Sequence, residues 1–361
     1  LNIIVGGETL SSLEVDVFVD EIQPDPNKRI NFMYIGALFV PVNKRNELVE
    51  QLLKKRCIMS SKWHVDPKLC SNFHKNTDCK RLHYRSDDRI HYTEMGKIGS
   101  RKYQIAKSWI EFLIEENNKR GLDLVYFNIL GINLNNIDYK KFGGKRSLLP
   151  IYSRFFRTTI IGGAKFFFGG DVIIRNIYHD KGAQSKSPNF QRQVPIMLRK
   201  GLHIKNSNVI FVDSNHHSYK DNNDLYGASN LLQFIDLILG TVYGNIHAPY
   251  NVKTKKGKAK YTLSKLMYPL VWRIIRHPKN KNSSFNYYRR QQIAFFPKEK
   301  IENKIKLLSI QERLDNVLED GNQGYNIIIK LNDLFYTDIP LRIESIGTKY
   351  LDTWVKIKAN R

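Results

Sequence analysis

The segment Val15–Glu21 reads V-D-V-F-V-D-E and constrains the fold more than any other stretch. Val15, Val17 and Val19 alternate with Asp16, Phe18 and Asp20, which is the period of a half-buried strand. That strand ends on two adjacent acids, Asp20 and Glu21. Far downstream, Leu231–Gly240 reads L-L-Q-F-I-D-L-I-L-G, an apolar helix carrying a single acid, Asp236. An ionised carboxylate on an apolar face is costly unless it is paired or binds a metal. One such acid on a first strand and one on a late helix point to a metal-dependent site assembled by the fold.

The remaining pattern supplies a frame for such a site. Strands are expected at Val15–Asp20, Phe32–Val40, Arg89–Tyr92, Leu122–Leu134, Asp171–Tyr178 and Asn208–Asp213. Helices are expected at Asn46–Lys55, Lys102–Asn118, Leu148–Phe168, Gln191–Lys200, Ala228–Tyr243 and Tyr261–Arg276. Strands come first, then strands alternate with helices, which implies an α/β fold with a mixed sheet. Residues 57–89 are polar and rich in His, Cys, Lys and Asp, and read as an insertion. The character changes again near Tyr250. The expected division is a catalytic domain over 1–247 and a basic C-terminal region over 248–361.

Charge narrows the partners. Lys and Arg number 58 against 34 Asp and Glu, a formal net charge of +24. That balance favours a polyanion, with nucleic acid ahead of an anionic membrane surface. No run reaches the roughly 20 apolar residues that span a bilayer. Three cysteines, an odd count, argue against a disulfide framework. No basic stretch followed by an apolar run opens the sequence, so a reducing, cytoplasmic setting is expected. Phosphate-loop and serine-elbow patterns are absent.

Four acids fall where elements begin or end: Asp20, Glu94, Asp180 and Asp236, with Glu21 beside the first and Asp213 as a fifth position. Mg2+ and Mn2+ prefer carboxylate oxygens. Two such ions held by acids from separate elements activate water and stabilise a leaving oxygen on phosphorus. Each acid also has a plainer reading. Asp20 and Asp180 suit turns, Glu94 suits the first turn of a helix, and Asp236 suits a structural ion pair.

The strand V-F-V-D-E, the segment H-Y-T-E, the turn I-Y-H-D-K-G and the pair F-V-D-S with Q-F-I-D-L-I-L-G resemble the prokaryotic family of unknown function DUF3800. The resemblance covers about Val15–Asn245. It departs from the family's D-E-S-G opening, since Ile22-Gln23 follow Asp20-Glu21 here. It implies a ribonuclease H-like fold: a mixed sheet with a leading three-stranded antiparallel part and a carboxylate metal site. By position it implies Asp20 as the first-strand ligand and Asp236 as the late-helix ligand. Glu94 and Asp180 fill the middle positions, with Arg89 or His91 as alternatives to Glu94.

Two further patterns carry chemistry. From Cys70 the sequence reads C-x3-H-x4-C-x3-H, and Cys57, Cys70, His74 and Cys79 have ligand types suited to structural Zn2+. The alternative is an exposed polar insertion with reduced thiols. Aromatic and basic residues interleave at Tyr152–Arg157 and Phe285–Arg290, which suits stacking on bases beside phosphate contacts or a helix with an apolar core face. The leading expectation is a Mg2+- or Mn2+-dependent nuclease acting on DNA or RNA, in phage defence or mobile-element biology. Lys181 beside Asp180 would steady a phosphate. The alternative is a non-catalytic module that binds nucleic acid or a partner protein within a larger complex.

Overall fold

The computed structural model describes residues 4–5, 8–9, 13–25, 27, 30–59, 83–85, 88–118, 124–142, 148–169, 172–206, 208–276 and 289–297. The elements that build the site are strand β1 (Glu14–Ile22), strand β2 (Phe32–Pro41), helix α1 (Arg45–Lys54), helix α2 (Arg101–Asn118) and strand β3 (Tyr126–Asn133). Helix α3 (Leu148–Phe168), strand β4 (Ile173–Asp180) and helix α4 (Pro188–Arg199) follow. The chain then runs through strands β5 (His203–Ile204) and β6 (Val209–Val212), helices α5 (Asn223–His247) and α6 (Lys255–Arg276), and strand β7 (Gln291–Phe296).

Seven of these described strands form one mixed sheet, in the order β6-β4-β1-β2-β3-β7, with β5 also beside β4. β1, β2 and β3 make an antiparallel meander. β4 then runs parallel to β1, β6 runs parallel to β4, and β7 runs parallel to β3. The α/β class with a mixed sheet flanked by helices is as the sequence implies.

Strand alternation sorts the first strand between two cores. Val15, Val17 and Val19 pack with Tyr152, Phe156 and Phe190 under α3 and α4. Phe18 faces the other side, in one cluster with Trp109, Phe234 and Ile235. Fully burying each such apolar side chain contributes about 1.5–3 kcal/mol. α5 crosses this second face against β1, β2 and β4, and so carries Asp236 over the end of β1.

Several boundaries differ from those expected. α4 begins at Pro188, not Gln191, because Ser187 caps it by accepting from the Phe190 N–H and proline suits the first helical turn. α5 begins at Asn223 rather than Ala228, because the Asn222 side chain accepts from the Leu225 N–H. Residues 89–92 are not a strand. The Ile90 N–H donates to Gln233 and the Tyr92 N–H to Asp236, so side chains of α5 take the bonds that a neighbouring strand would. Tyr92–Glu94 is a single 3-10 turn.

The division expected at 247/248 falls inside one packed unit. α6 packs on α5 and α2, and its Leu263, Met267, Val271 and Ile274 belong to the same core as Phe18. β7 extends the central sheet beside β3. Among the described residues one helix, Asn223–His247, is long and apolar enough to cross a membrane, and 89% of its most apolar window is buried inside the fold. The stretch Y-S-R-F-F-R follows the plainer of its two readings: Tyr152, Phe155 and Phe156 are core residues of α3. Phe285–Tyr288 lie outside the described residues.

Candidate active site

The end of β1 meets α5 at Asp20. The strand places Asp20 on the α5 face and Glu21 on the α3 face. Asp20 is 8% exposed and Asp236 is 7% exposed. The Asp20 carboxylate accepts the Glu21 N–H at 2.8 Å and makes no ion pair among the described residues. Burial raises the Asp20 carboxyl well above its ordinary value, and the neighbouring charges of Asp236, Glu21 and Asp180 push it further. Asp236 is also raised, by burial first. His91 and the Tyr92 N–H oppose that rise, and Asp180 adds to it.

Asp180 closes β4, one strand over from Asp20. In the parallel register Val19 lies beside His179, so the next residues in the two strands are Asp20 and Asp180. The Ser214 N–H donates to Oδ1 of Asp180 at 2.9 Å. Three of the expected acids, Asp20, Asp180 and Asp236, therefore meet where the ends of two parallel strands face one helix. In open α/β sheets, sites gather at such strand ends.

Two expected site acids are engaged elsewhere. Glu21 accepts hydrogen bonds from Gln184 at 2.7 Å and from the Tyr152 hydroxyl at 3.2 Å, with His179 Nε2 at 3.5 Å. Its carboxylate is thus held on the far face of the sheet. Glu94 is 40% exposed, 2.9 Å from Lys102 Nζ and 3.4 Å from Arg89. Burial would raise its carboxyl, but the Lys102 hydrogen bond and the charges of Lys102 and Arg89 win, and it is lowered. Asp213 is a turn residue, its carboxylate accepting the Asn215 N–H at 2.7 Å.

Residues that periodicity does not single out hold this arrangement. Gln233, one turn before Asp236, accepts from the Ile90 N–H at 2.8 Å and from Arg56 at 2.7 Å, and donates to the Ser214 carbonyl at 2.7 Å. Arg89 donates to the Ser214 hydroxyl at 2.8 Å. Gln233 thereby ties the segment around His91 to the turn that contacts Asp180. The signal was present in the sequence as a second polar residue, three before Asp236, on an otherwise apolar helix. Two glycines of α5 make room for this packing. A Cβ on Gly240 would lie 2.2 Å from the Tyr92 ring, and one on Gly244 would lie 1.4 Å from the Tyr250 hydroxyl. Tyr92, Tyr250 and Ser264 join their hydroxyls at 2.5–2.8 Å, which fastens α6 to the site segment.

Among the described residues no three His, Cys, Asp or Glu side chains are arranged to hold a metal ion as they stand. The donor set nonetheless suits a hard divalent cation: buried carboxylates, mutually repelling, one of them without an ion-pair partner among the described residues. Cys70, His74 and Cys79 lie outside the described residues, and of the expected zinc ligands only the backbone of Cys57 is described, in a short strand pair with residues 83–85. No protein-family model matches the chain, and no curated protein matches it in sequence.

Proposed function

We propose that this protein is a divalent-metal-dependent phosphodiesterase acting on nucleic acid, with a ribonuclease H-like core. The observation that carries the reading is Asp20. It is a buried carboxylate whose proton affinity is raised by three other acids, and nothing positive is paired with it among the described residues. Such a cluster of negative charge is stabilised by a bound cation. The antiparallel meander β1-β2-β3 followed by parallel β4 and β6 supports the fold, as does an acid at the end of β1 opposite an acid on a late helix.

In this reading Asp20 and Asp236 hold Mg2+ or Mn2+ directly, and Asp180 completes the set. A divalent ion there supplies charge neutralisation and an activated water for hydrolysis at phosphorus. Glu21 is a positioning residue, fixed by Tyr152 and Gln184, and holds the strand end that carries Asp20. Arg89, Lys102 and Lys181 surround the acids with positive charge suited to phosphate oxygens. The exposed lysines at the start of α6, Lys255, Lys256 and Lys258, lead to Lys260, whose Nζ lies 5.5 Å from the Tyr92 ring. They give a phosphate backbone a path to the acids. The reading keeps the DUF3800 resemblance as its family and phage defence or mobile-element biology as its setting.

End-labelled single- and double-stranded DNA and RNA, incubated with Mg2+ or Mn2+, test it. Metal-dependent cleavage that is lost in Asp20→Asn and Asp236→Asn supports the assignment. Tight binding without turnover, whatever the metal, would overturn it in favour of a non-catalytic binding module.

A further inference from the structure

A second recess lies on the far side of the sheet from Asp20, between α3 and the edge strand β7. Helix α3 covers β2 and β3 but stops short of β7. The floor is Asn128 and Leu130 of β3 with Gln292 and Ala294 of β7, and the wall is the outer flank of α3. This apolar recess encloses about 450 Å3, and a more polar one of about 410 Å3 adjoins it. Phe166 lines both, and Arg289 and Arg290 line the second. Each volume is in the range of small-molecule sites.

The apolar recess contains one buried polar group that lacks a partner. Asn128 is 5% exposed. Its Nδ2 donates to the Thr159 carbonyl at 2.8 Å, which fixes the amide orientation and leaves Oδ1 buried with no hydrogen bond. A buried acceptor without a donor is unfavourable and is rare in folded proteins. Gly162 keeps the wall open beside it, since a Cβ there would meet only Asn128 Nδ2, at 3.8 Å. In the neighbouring recess the buried Nε of Arg289 likewise has no acceptor. Arg290 sits over the Tyr126 ring at 5.4 Å.

These features fit the two halves of one ligand class. The apolar recess offers an aromatic edge and a single acceptor, which suits a flat base that donates. The adjoining recess offers guanidinium donors, and Lys165 stands on the wall between them, which suits a phosphate. We propose that this cleft binds a nucleotide whose base carries an exocyclic amine, with the amine donating to Asn128 Oδ1 and the phosphate at Arg289. Adenine, cytosine and guanine have such an amine; uracil does not. The site lies on the opposite face from the acids and does not rest on the nuclease reading.

Isothermal titration of the full chain, without divalent metal, with AMP, CMP, GMP, UMP, adenosine and inorganic phosphate tests the proposal. At least one amine-bearing nucleotide should bind about tenfold or more tightly than UMP, the size expected for leaving a buried acceptor unpaired. Asn128→Leu should abolish that preference. Arg289→Ala, on the cleft rim, should reduce nucleotide affinity to that of adenosine while leaving the melting temperature unchanged. Equal binding of UMP, no nucleotide binding at all, or unchanged affinity in Arg289→Ala would each overturn the proposal. None of these results bears on cleavage at Asp20, so the two readings fail separately.

Discussion

The backbone N–H of Tyr92 donates to Oδ2 of Asp236 across 2.6 Å, joining residues 144 apart in the chain. The bond explains how an acid is kept on an apolar helix: one oxygen is satisfied by the protein. No bond to Oδ1 is made among the described residues. Asparagine preserves the accepting oxygen and removes the charge. Asp236→Asn should therefore fold with a melting temperature close to wild type and lose metal-dependent cleavage. Loss of groups that merely orient metal ligands costs about 10–100-fold, so a direct ligand should cost more than about 100-fold. Thermal melting and initial cleavage rates on the same samples check both halves. Near wild-type cleavage would remove Asp236 from the site.

Asp20 makes a prediction in the opposite direction for stability. Its carboxyl is raised by burial, with Asp236, Glu21 and Asp180 adding to the effect. The folded state therefore holds this proton more tightly than the unfolded chain does. The penalty is absent below the unfolded value of about 3.9. It grows as pH rises towards the folded value and is fully present above it. Asp20→Asn removes it. The variant should melt higher than wild type at neutral pH, by roughly 2–4 °C for each kcal/mol recovered, and the gap should close as pH falls towards 4. Mg2+ or Mn2+ should raise the wild-type melting temperature and leave that of the variant almost unchanged. A lower melting temperature for Asp20→Asn at pH 7 would contradict the charge-cluster account.

Much of this was legible in the chain, and the contrast between Asp16 and Asp20 marks where legibility stops. Both alternate with the valines of β1 and share one face. Periodicity treats them alike. Only the tertiary structure brings Arg45 and Arg175 to Asp16 and leaves Asp20 facing other acids. The three acids that meet are those on periodic elements, where strand and helix patterns fix direction. Glu94 was misjudged because the segment before it looked like a strand. Its alternating N–H groups are in fact bound by Gln233 and Asp236, and side-chain partners so distant leave no local pattern. The role of β7 was hidden for a similar reason: its partner β3 lies more than 150 residues earlier, and the polar stretch between α6 and β7 suggested a break.

Gly240 tests the packing behind the site. A Cβ at this position would lie 2.2 Å from Cγ of Tyr92, well inside contact distance. Gly240→Ala should push Tyr92 outward and lengthen its bond to Asp236. Overpacking of this kind costs about 1–3 kcal/mol. Cleavage should fall with it, even though the substitution adds no charge and touches no acid. Urea denaturation and cleavage rates measure the two effects. A stability loss without any fall in activity would show that the Tyr92–Asp236 bond does not position the carboxylate.

Asp16 provides the structural counterpart at the other end of β1. It is fully buried and accepts from Arg45 at 3.0 Å, from both Arg175 Nε at 3.0 Å and Arg175 Nη2, and from Asn176 at 3.1 Å. Arg45 is nearly as buried and stacks its guanidinium on Tyr178, 5.0 Å from the ring centre. Removing the carboxylate leaves that guanidinium in the interior with only Asp224 as its acidic partner. Asp16→Ala should cost about 3–5 kcal/mol, the usual result of stripping one partner from a buried ion pair. Asp16→Asn, which keeps one accepting oxygen, should cost less. The network sits at the end of β1 away from Asp20, so the cleavage rate of the folded fraction should match wild type. Denaturation midpoints, read beside activity corrected for the folded fraction, separate this residue from its sequence twin at position 20. If Asp16→Asn lost cleavage as completely as Asp20→Asn while remaining folded, the division of β1 into a structural acid and a functional one would be wrong.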